Sequence, residues 1–229
     1  MNLANRLKER IKQEGILRAI QYWGCSSYDT ARSLARDTLT DLYYGGKILA
    51  NCKSLYSHLG SNEVYHSDYD ALNLIFNYCC PVEESDILVD VGCGKGRVIN
   101  YWLSRGLTNP LIGLELDPAI AGQTAAQLSH RPNVRILSGD AIENLPKDGT
   151  LFYFYNPFVQ TKVAEFEAHI RQLAQTKPLH IVYYNPKSLA VFQNNHWDID
   201  CINFEQDLGL KRWGRINKFH DLAIISSKE

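Results

Sequence analysis

The residues with the most chemical content lie in one short run, Asp90-Val91-Gly92-Cys93-Gly94-Lys95-Gly96. Glycines at alternate positions permit a tight turn and let backbone N–H groups approach a ligand closely. A dinucleotide fingerprint requires G-x-G-x-x-G. Counted from Gly92, its third glycine falls on residue 97, which is Arg97. The run therefore points away from a dehydrogenase and toward another small ligand held at the end of a strand. Two acidic positions follow in comparable settings, Glu115 in Ile112-Gly113-Leu114-Glu115-Leu116-Asp117-Pro118 and Asp140 in Ser138-Gly139-Asp140-Ala141-Ile142. A solvent-exposed strand end for Glu115 and a helix-capping role for Asp140 are the plainer readings of each. Tyr65-His66-Ser67-Asp68-Tyr69 adds an imidazole, His66, suited to take a proton from a hydroxyl or ammonium group. A lone surface histidine is the alternative.

These residues need a scaffold, and the patterning supplies one. Residues 86–91, 111–116, 134–137, 151–155 and 179–184 are short apolar runs that read as strands. Helical patterns over 119–128 and 161–174 alternate with them. Such alternation predicts a doubly wound, mostly parallel sheet covered by helices on both faces. The last two apolar runs, 197–204 and 222–225, have no convincing helix between them, so they are expected to pair antiparallel. Ahead of the sheet, residues 68–78 read as a helix closed by Pro81. The first twenty residues read as an amphipathic helix with Leu3, Leu7 and Ile11 on one face. Residues 21–68 are rich in tyrosine and are expected to form short helices and a loop. The expected division is therefore a helical extension over residues 1–80 and an α/β domain over 81–229.

Composition narrows the class. The chain has 229 residues, 45% hydrophobic, with a formal net charge of −1. That content suffices for one packed core. The near-neutral charge, without a basic stripe, makes a nucleic-acid partner unlikely on these grounds. No apolar run is long enough to span a bilayer, and no secretory leader pattern is present at the start. The six cysteines, at 25, 52, 79, 80, 93 and 201, match no zinc spacing. Free thiols in a reducing, cytoplasmic setting are the expectation, and no metal is called for.

The D-x-G-x-G-x-G run, with Glu115 and Asp140, resembles the cofactor site of class I S-adenosylmethionine-dependent methyltransferases over about residues 84–226. The resemblance implies a seven-stranded, Rossmann-like sheet with an antiparallel last strand. It further implies S-adenosylmethionine as cofactor and S-adenosylhomocysteine as product. Asp90, Gly92, Cys93, Gly94 and Gly96 would surround the methionine portion, Glu115 would take the ribose hydroxyls, and Asp140 with Ala141 would meet the adenine. Residues 1–80 would cap the pocket. Tyr155-Asn156-Pro157-Phe158 resembles a shortened form of the N/D-P-P-Y/F motif of amino-group methyltransferases. By that match, the Asn156 side chain, bordering the cofactor, accepts a hydrogen bond from the methyl acceptor, Pro157 shapes the turn and Phe158 forms a wall. The motif has two prolines and this chain one, so the acceptor is left as a nitrogen or an oxygen. A strand-ending turn with a core phenylalanine is the alternative. Tyr183-Tyr184-Asn185-Pro186 repeats the theme one strand later. A small molecule or a protein side chain is the expected acceptor. A cofactor-binding scaffold or sensor without turnover is the competing reading. An aminopropyltransferase is disfavoured because the Asn156 segment carries no acid to hold a polyamine.

Overall fold

A computed structural model describes residues 27–46, 49, 66–204, 206–207 and 219–228. The helix expected over the first twenty residues lies outside them. The centre of the molecule is a seven-stranded sheet in the order β3-β2-β1-β4-β5-β7-β6. Its strands are β1 (Leu88–Val91), β2 (Leu111–Glu115), β3 (Val134–Ser138), β4 (Leu151–Phe154), β5 (His180–Tyr184), β6 (Trp197–Ile202) and β7 (Leu222–Ser227). β1 to β5 are parallel, and β7 inserts antiparallel between β5 and β6. Every residue of β1, β2 and β4 is buried. Strands covered on both faces read as continuous apolar runs, which is why these segments stood out.

Alternation along the strands divides the core into two layers. Leu88, Leu151, Tyr153, Val182 and Tyr184 face one layer, packed with α2 (Tyr69–Leu74) and α3 (Arg97–Ser104). Val89, Val91, Phe152, Phe154 and Tyr183 face the other, packed with Val163, Phe166 and Ile170 of α5 (Gln160–Ala174). α4 (Pro118–Leu128) starts cleanly because Asp117 accepts from the N–H of Ala119 at 2.8 Å and Pro118 takes the first helical position.

Two elements differ from the sequence-based expectation. The helix over residues 68–78 is helical only to Leu74, then widens into a π-helical turn, Ile75–Cys79, before Pro81. Residues 27–45, expected as short helices, form one 19-residue helix, α1 (Ser27–Gly45). Its pattern misleads because the usual arrangement is reversed. Asp37 and Asp41, one turn apart, are buried, whereas Leu34, Leu39 and Tyr43 are 66%, 65% and 76% exposed.

Gly113 in β2 sits where the sheet meets the glycine-rich turn. A Cβ there would lie 2.7 Å from Cys93 Sγ, 2.8 Å from Ile136 Cδ1 and 2.9 Å from Ile99 Cδ1. Gly113→Ala is therefore expected to destabilise the fold by about 1–3 kcal/mol through overpacking, read as a lower urea midpoint at unchanged slope.

Candidate functional site

The glycine-rich turn closes between β1 and α3 at the carboxyl end of the parallel strands. Gly92, Gly94 and Gly96 have φ of 79°, 52° and 83°, a region that side chains rarely tolerate. The backbone N–H groups of Gly92 and Cys93 both donate to the Leu114 carbonyl, at 2.9 and 2.8 Å. The N–H of Gly94 donates to Glu115 Oε2 at 2.8 Å, and the Thr124 hydroxyl donates to the Gly94 carbonyl at 3.0 Å. A Cβ on Gly92 would stand 2.8 Å from the Cβ of Pro157. The turn and the Asn156-Pro157 segment thus touch, although 60-odd residues separate them along the chain.

Asp90 sits on the face of β1 that packs with α2 and α3. In the sheet register it lies between Gly113 and Tyr153, and it is 3% exposed. Its Oδ2 meets no hydrogen-bond partner among the described residues. Burial raises its pKa well above the ordinary carboxylate range, and the nearby Glu115 charge adds to the rise. Glu115 is also buried, and its Oε1 accepts from the Asp117 N–H at 2.9 Å. Burial pushes its pKa up, while the N–H groups of Asp117 and Gly94 pull it back. Both carboxylate oxygens are therefore anchored to backbone, and each retains a lone pair for a further donor. At the neighbouring strand end the Gly139 N–H donates to the Glu115 carbonyl at 2.9 Å. Asp140 Oδ1 accepts from the Ile142 N–H at 2.8 Å, its Oδ2 lies 3.7 Å from Lys162 Nζ, and Ala141 is buried beside it.

The β4 end holds the remaining candidates. Asn156 has φ 45° and its Oδ1 accepts from the Tyr183 hydroxyl at 3.3 Å; that hydroxyl also accepts from the Ser188 N–H at 3.2 Å. Asn185, its counterpart on β5, has φ 54°. Strained asparagines at adjacent strand ends are the kind of cost that folds tolerate at functional positions. Phe158 spends its ring on Phe154 and Phe166, at centroid distances of 5.5 and 6.1 Å, so it packs at the edge of the core layer that holds α5. His66 is half-buried, and its neighbour Ser67 shares a 2.8 Å hydrogen bond with the Tyr153 hydroxyl. The His66 segment therefore reaches the face of the sheet that carries Asp90. Among the described residues, no group of three or more His, Cys, Asp or Glu side chains is placed to hold a metal ion, and no helix is long and apolar enough to cross a membrane. Cys79, Cys80, Cys93 and Cys201 are free thiols, and burial holds the Cys93 thiol well above its ordinary pKa.

One constellation escaped the sequence reading. Arg97, which stands where a dinucleotide site needs glycine, donates through Nη2 to Asp41 Oδ2 at 2.6 Å and lies over the Tyr69 ring. The Tyr69 hydroxyl donates to Asp41 Oδ1 at 2.7 Å, and the Leu49 N–H donates to Oδ2 at 3.2 Å. This buried cluster bolts α1 and α2 onto the first residue of α3, directly after the glycines. No motif spacing signals it, because Asp41 and Arg97 are 56 residues apart.

No protein-family model matches the chain, and no curated protein matches it in sequence. Solved structures match its fold. An RNA methyltransferase from Salinibacter ruber, in complex with S-adenosyl-L-homocysteine, superposes with a TM-score of 0.51 at 18% identity, covering 72% of this chain and 95% of its own. The candidate methyltransferase yhhF from Escherichia coli gives 0.51 at 14% identity, covering 79% and 99%. A candidate tRNA (m1A22) methyltransferase, Sp1610 from Streptococcus pneumoniae, gives 0.50 at 12% identity, covering 69% of each chain. The strand order, with its antiparallel β7 between β5 and β6, is that of the class I methyltransferase fold.

Two outcomes follow from the buried charges. Asp41→Ala strands the Arg97 guanidinium without its counter-ion and is expected to cost about 3–5 kcal/mol, measured by urea denaturation. Asp90→Asn acts in the opposite direction. Because burial raises the Asp90 pKa above its unfolded value, the stability this group contributes is fully present below the unfolded value and lost as pH rises through the folded one. The asparagine variant is expected to be more stable than wild type at pH 8 and to lose that advantage toward pH 4, measured as the difference in urea midpoint.

Proposed function

We propose that the protein is an S-adenosylmethionine-dependent methyltransferase acting on a nitrogen or oxygen acceptor. The observation that carries this reading is the meeting of three parts at one sheet end. These are the left-handed glycine turn, the Glu115 carboxylate that holds the turn through Gly94, and the Asn156-Pro157 segment against Gly92. The donor set fits the cofactor. The buried Asp90 Oδ2 lacks a partner among the described residues, which suits an ammonium group. The RNA methyltransferase with the same fold holds S-adenosyl-L-homocysteine, the expected product.

When bound, S-adenosylmethionine supplies a methyl group already activated on a sulfonium. The chain's own task is to hold, orient and exclude water. Asp90, Gly92, Cys93, Gly94 and Gly96 take the methionine portion. The spare lone pairs of Glu115 accept from the ribose hydroxyls, and Asp140 with Ala141 borders the adenine. The Tyr183 hydroxyl fixes the Asn156 amide, whose oxygen accepts a hydrogen bond from the acceptor and aims its lone pair. His66, next to the Ser67 that bonds to Tyr153, is the candidate to receive the proton. α1 and α2 cap this end, and the Asp41–Arg97 pair ties the cap to the turn. The acceptors of the fold neighbours include RNA and tRNA, so RNA belongs beside small molecules and protein side chains in an acceptor screen.

Calorimetric titration tests the reading. S-adenosylhomocysteine is expected to bind and NADH to show no heat, and Gly94→Arg is expected to abolish the former by filling the turn. Failure of S-adenosylhomocysteine to bind the folded wild type, or wild-type affinity in Gly94→Arg, contradicts it.

A further inference from the structure

His220 lies at the same end of the sheet, outside every motif. β7 runs antiparallel to β5, so the residues before Leu222 arrive at the carboxyl end of β5, where Tyr184 pairs with Leu222. The Asn185 N–H donates to the Asp221 carbonyl at 2.8 Å, and the His220 N–H donates to the Tyr184 hydroxyl at 3.1 Å. These bonds fix the imidazole among rings. Its centroid is 5.4 Å from that of Tyr184 and 5.8 Å from that of Tyr155, and the two tyrosines are 5.0 Å apart. Tyr184 is buried beneath, whereas Tyr155 and His220 are half-buried. Tyr155 directly precedes Asn156 and lies with Tyr153 on the face of the sheet that carries Asp90 of β1.

We propose that Tyr155, Tyr184 and His220 form the acceptor subsite, and that it takes a flat aromatic or heteroaromatic ring bearing the reacting nitrogen or oxygen. The proposal builds on the methyltransferase reading. Ring faces and edges attract other rings in offset or edge-on contact, and Tyr155 and His220 both keep part of their surface exposed at this sheet end. A neutral imidazole adds an acceptor for the N–H or O–H of that ring. Burial and the nearby Lys187 charge hold the His220 pKa below its ordinary value, against the opposing pull of Asp221, so the imidazole is neutral at neutral pH. The same Lys187 charge weighs against an aliphatic ammonium acceptor, which the rings alone would also attract.

The test uses the full chain saturated with S-adenosylhomocysteine and follows the His220 ring C–H signals by NMR. Catechol and indole are the aromatic probes; cyclohexanol and butylamine are the controls. The aromatic probes are expected to shift the His220 signals saturably, and the controls to leave them in place. Tyr155→Leu is expected to weaken the aromatic probes by about fivefold, and Tyr155→Phe to restore them, with S-adenosylhomocysteine affinity unchanged in both. No shift with either aromatic probe, an equal shift with cyclohexanol or butylamine, or undiminished binding in a folded Tyr155→Leu overturns the proposal. If S-adenosylhomocysteine fails to bind, the methyltransferase reading falls, and the same titration on the unliganded protein still judges the aromatic subsite.

Discussion

The hydrogen bond from the Gly94 N–H to Glu115 ties the end of β2 to the turn after β1, and the site is arranged around it. The three glycines at positive φ bring no side chains of their own to hold the turn, and glycine loses more conformational freedom on ordering than any other residue. The carboxylate supplies the missing restraint. Its other oxygen is taken by Asp117, which in turn caps α4, and Thr124 of α4 reaches back to the Gly94 carbonyl. Turn, strand end and helix thus restrain one another in a closed loop. A Glu115 without its carboxylate would loosen the turn, so on the proposed reading its structural role and its ribose contact are joined.

Buried charge is the second theme, handled in two ways. Asp41 is fully paired, by Arg97, Tyr69 and the Leu49 N–H, and serves to join helices. Asp90 is equally enclosed but carries an oxygen without a partner among the described residues. A buried polar atom left unsatisfied costs free energy, and such a cost persists most readily where a ligand relieves it. On the proposed reading, stability and binding are set against each other at Asp90.

Most of the sheet was legible from sequence because β1, β2, β4 and β5 are apolar runs bounded by turns, and burial on both faces leaves few other ways to read them. The antiparallel β7 followed from the lack of a convincing helical pattern in the sequence between the last two apolar runs. The positions of the turn, Glu115, Asp140 and Asn156 were legible because they lie at strand ends, where spacing along the chain maps directly onto space. The rest was hidden for specific reasons. α1 buries Asp37 and Asp41 and exposes Leu34 and Leu39, so its hydrophobic pattern points the wrong way. The Asp41–Arg97 pair and the Tyr155–Tyr184–His220 cluster join residues far apart in sequence, and only the topology brings them together. Phe158 satisfied a motif on paper, while its ring is largely engaged by Phe154 and Phe166.

A crystal structure of the protein grown with S-adenosylhomocysteine tests the central claim most directly. The account predicts the ribose hydroxyls on Glu115 with the Gly94 bond intact, the adenine beside Asp140 and Ala141, and the amino acid portion at the glycine turn above Asp90. Density for the ligand elsewhere, or at this sheet end without contact to Glu115, would contradict it.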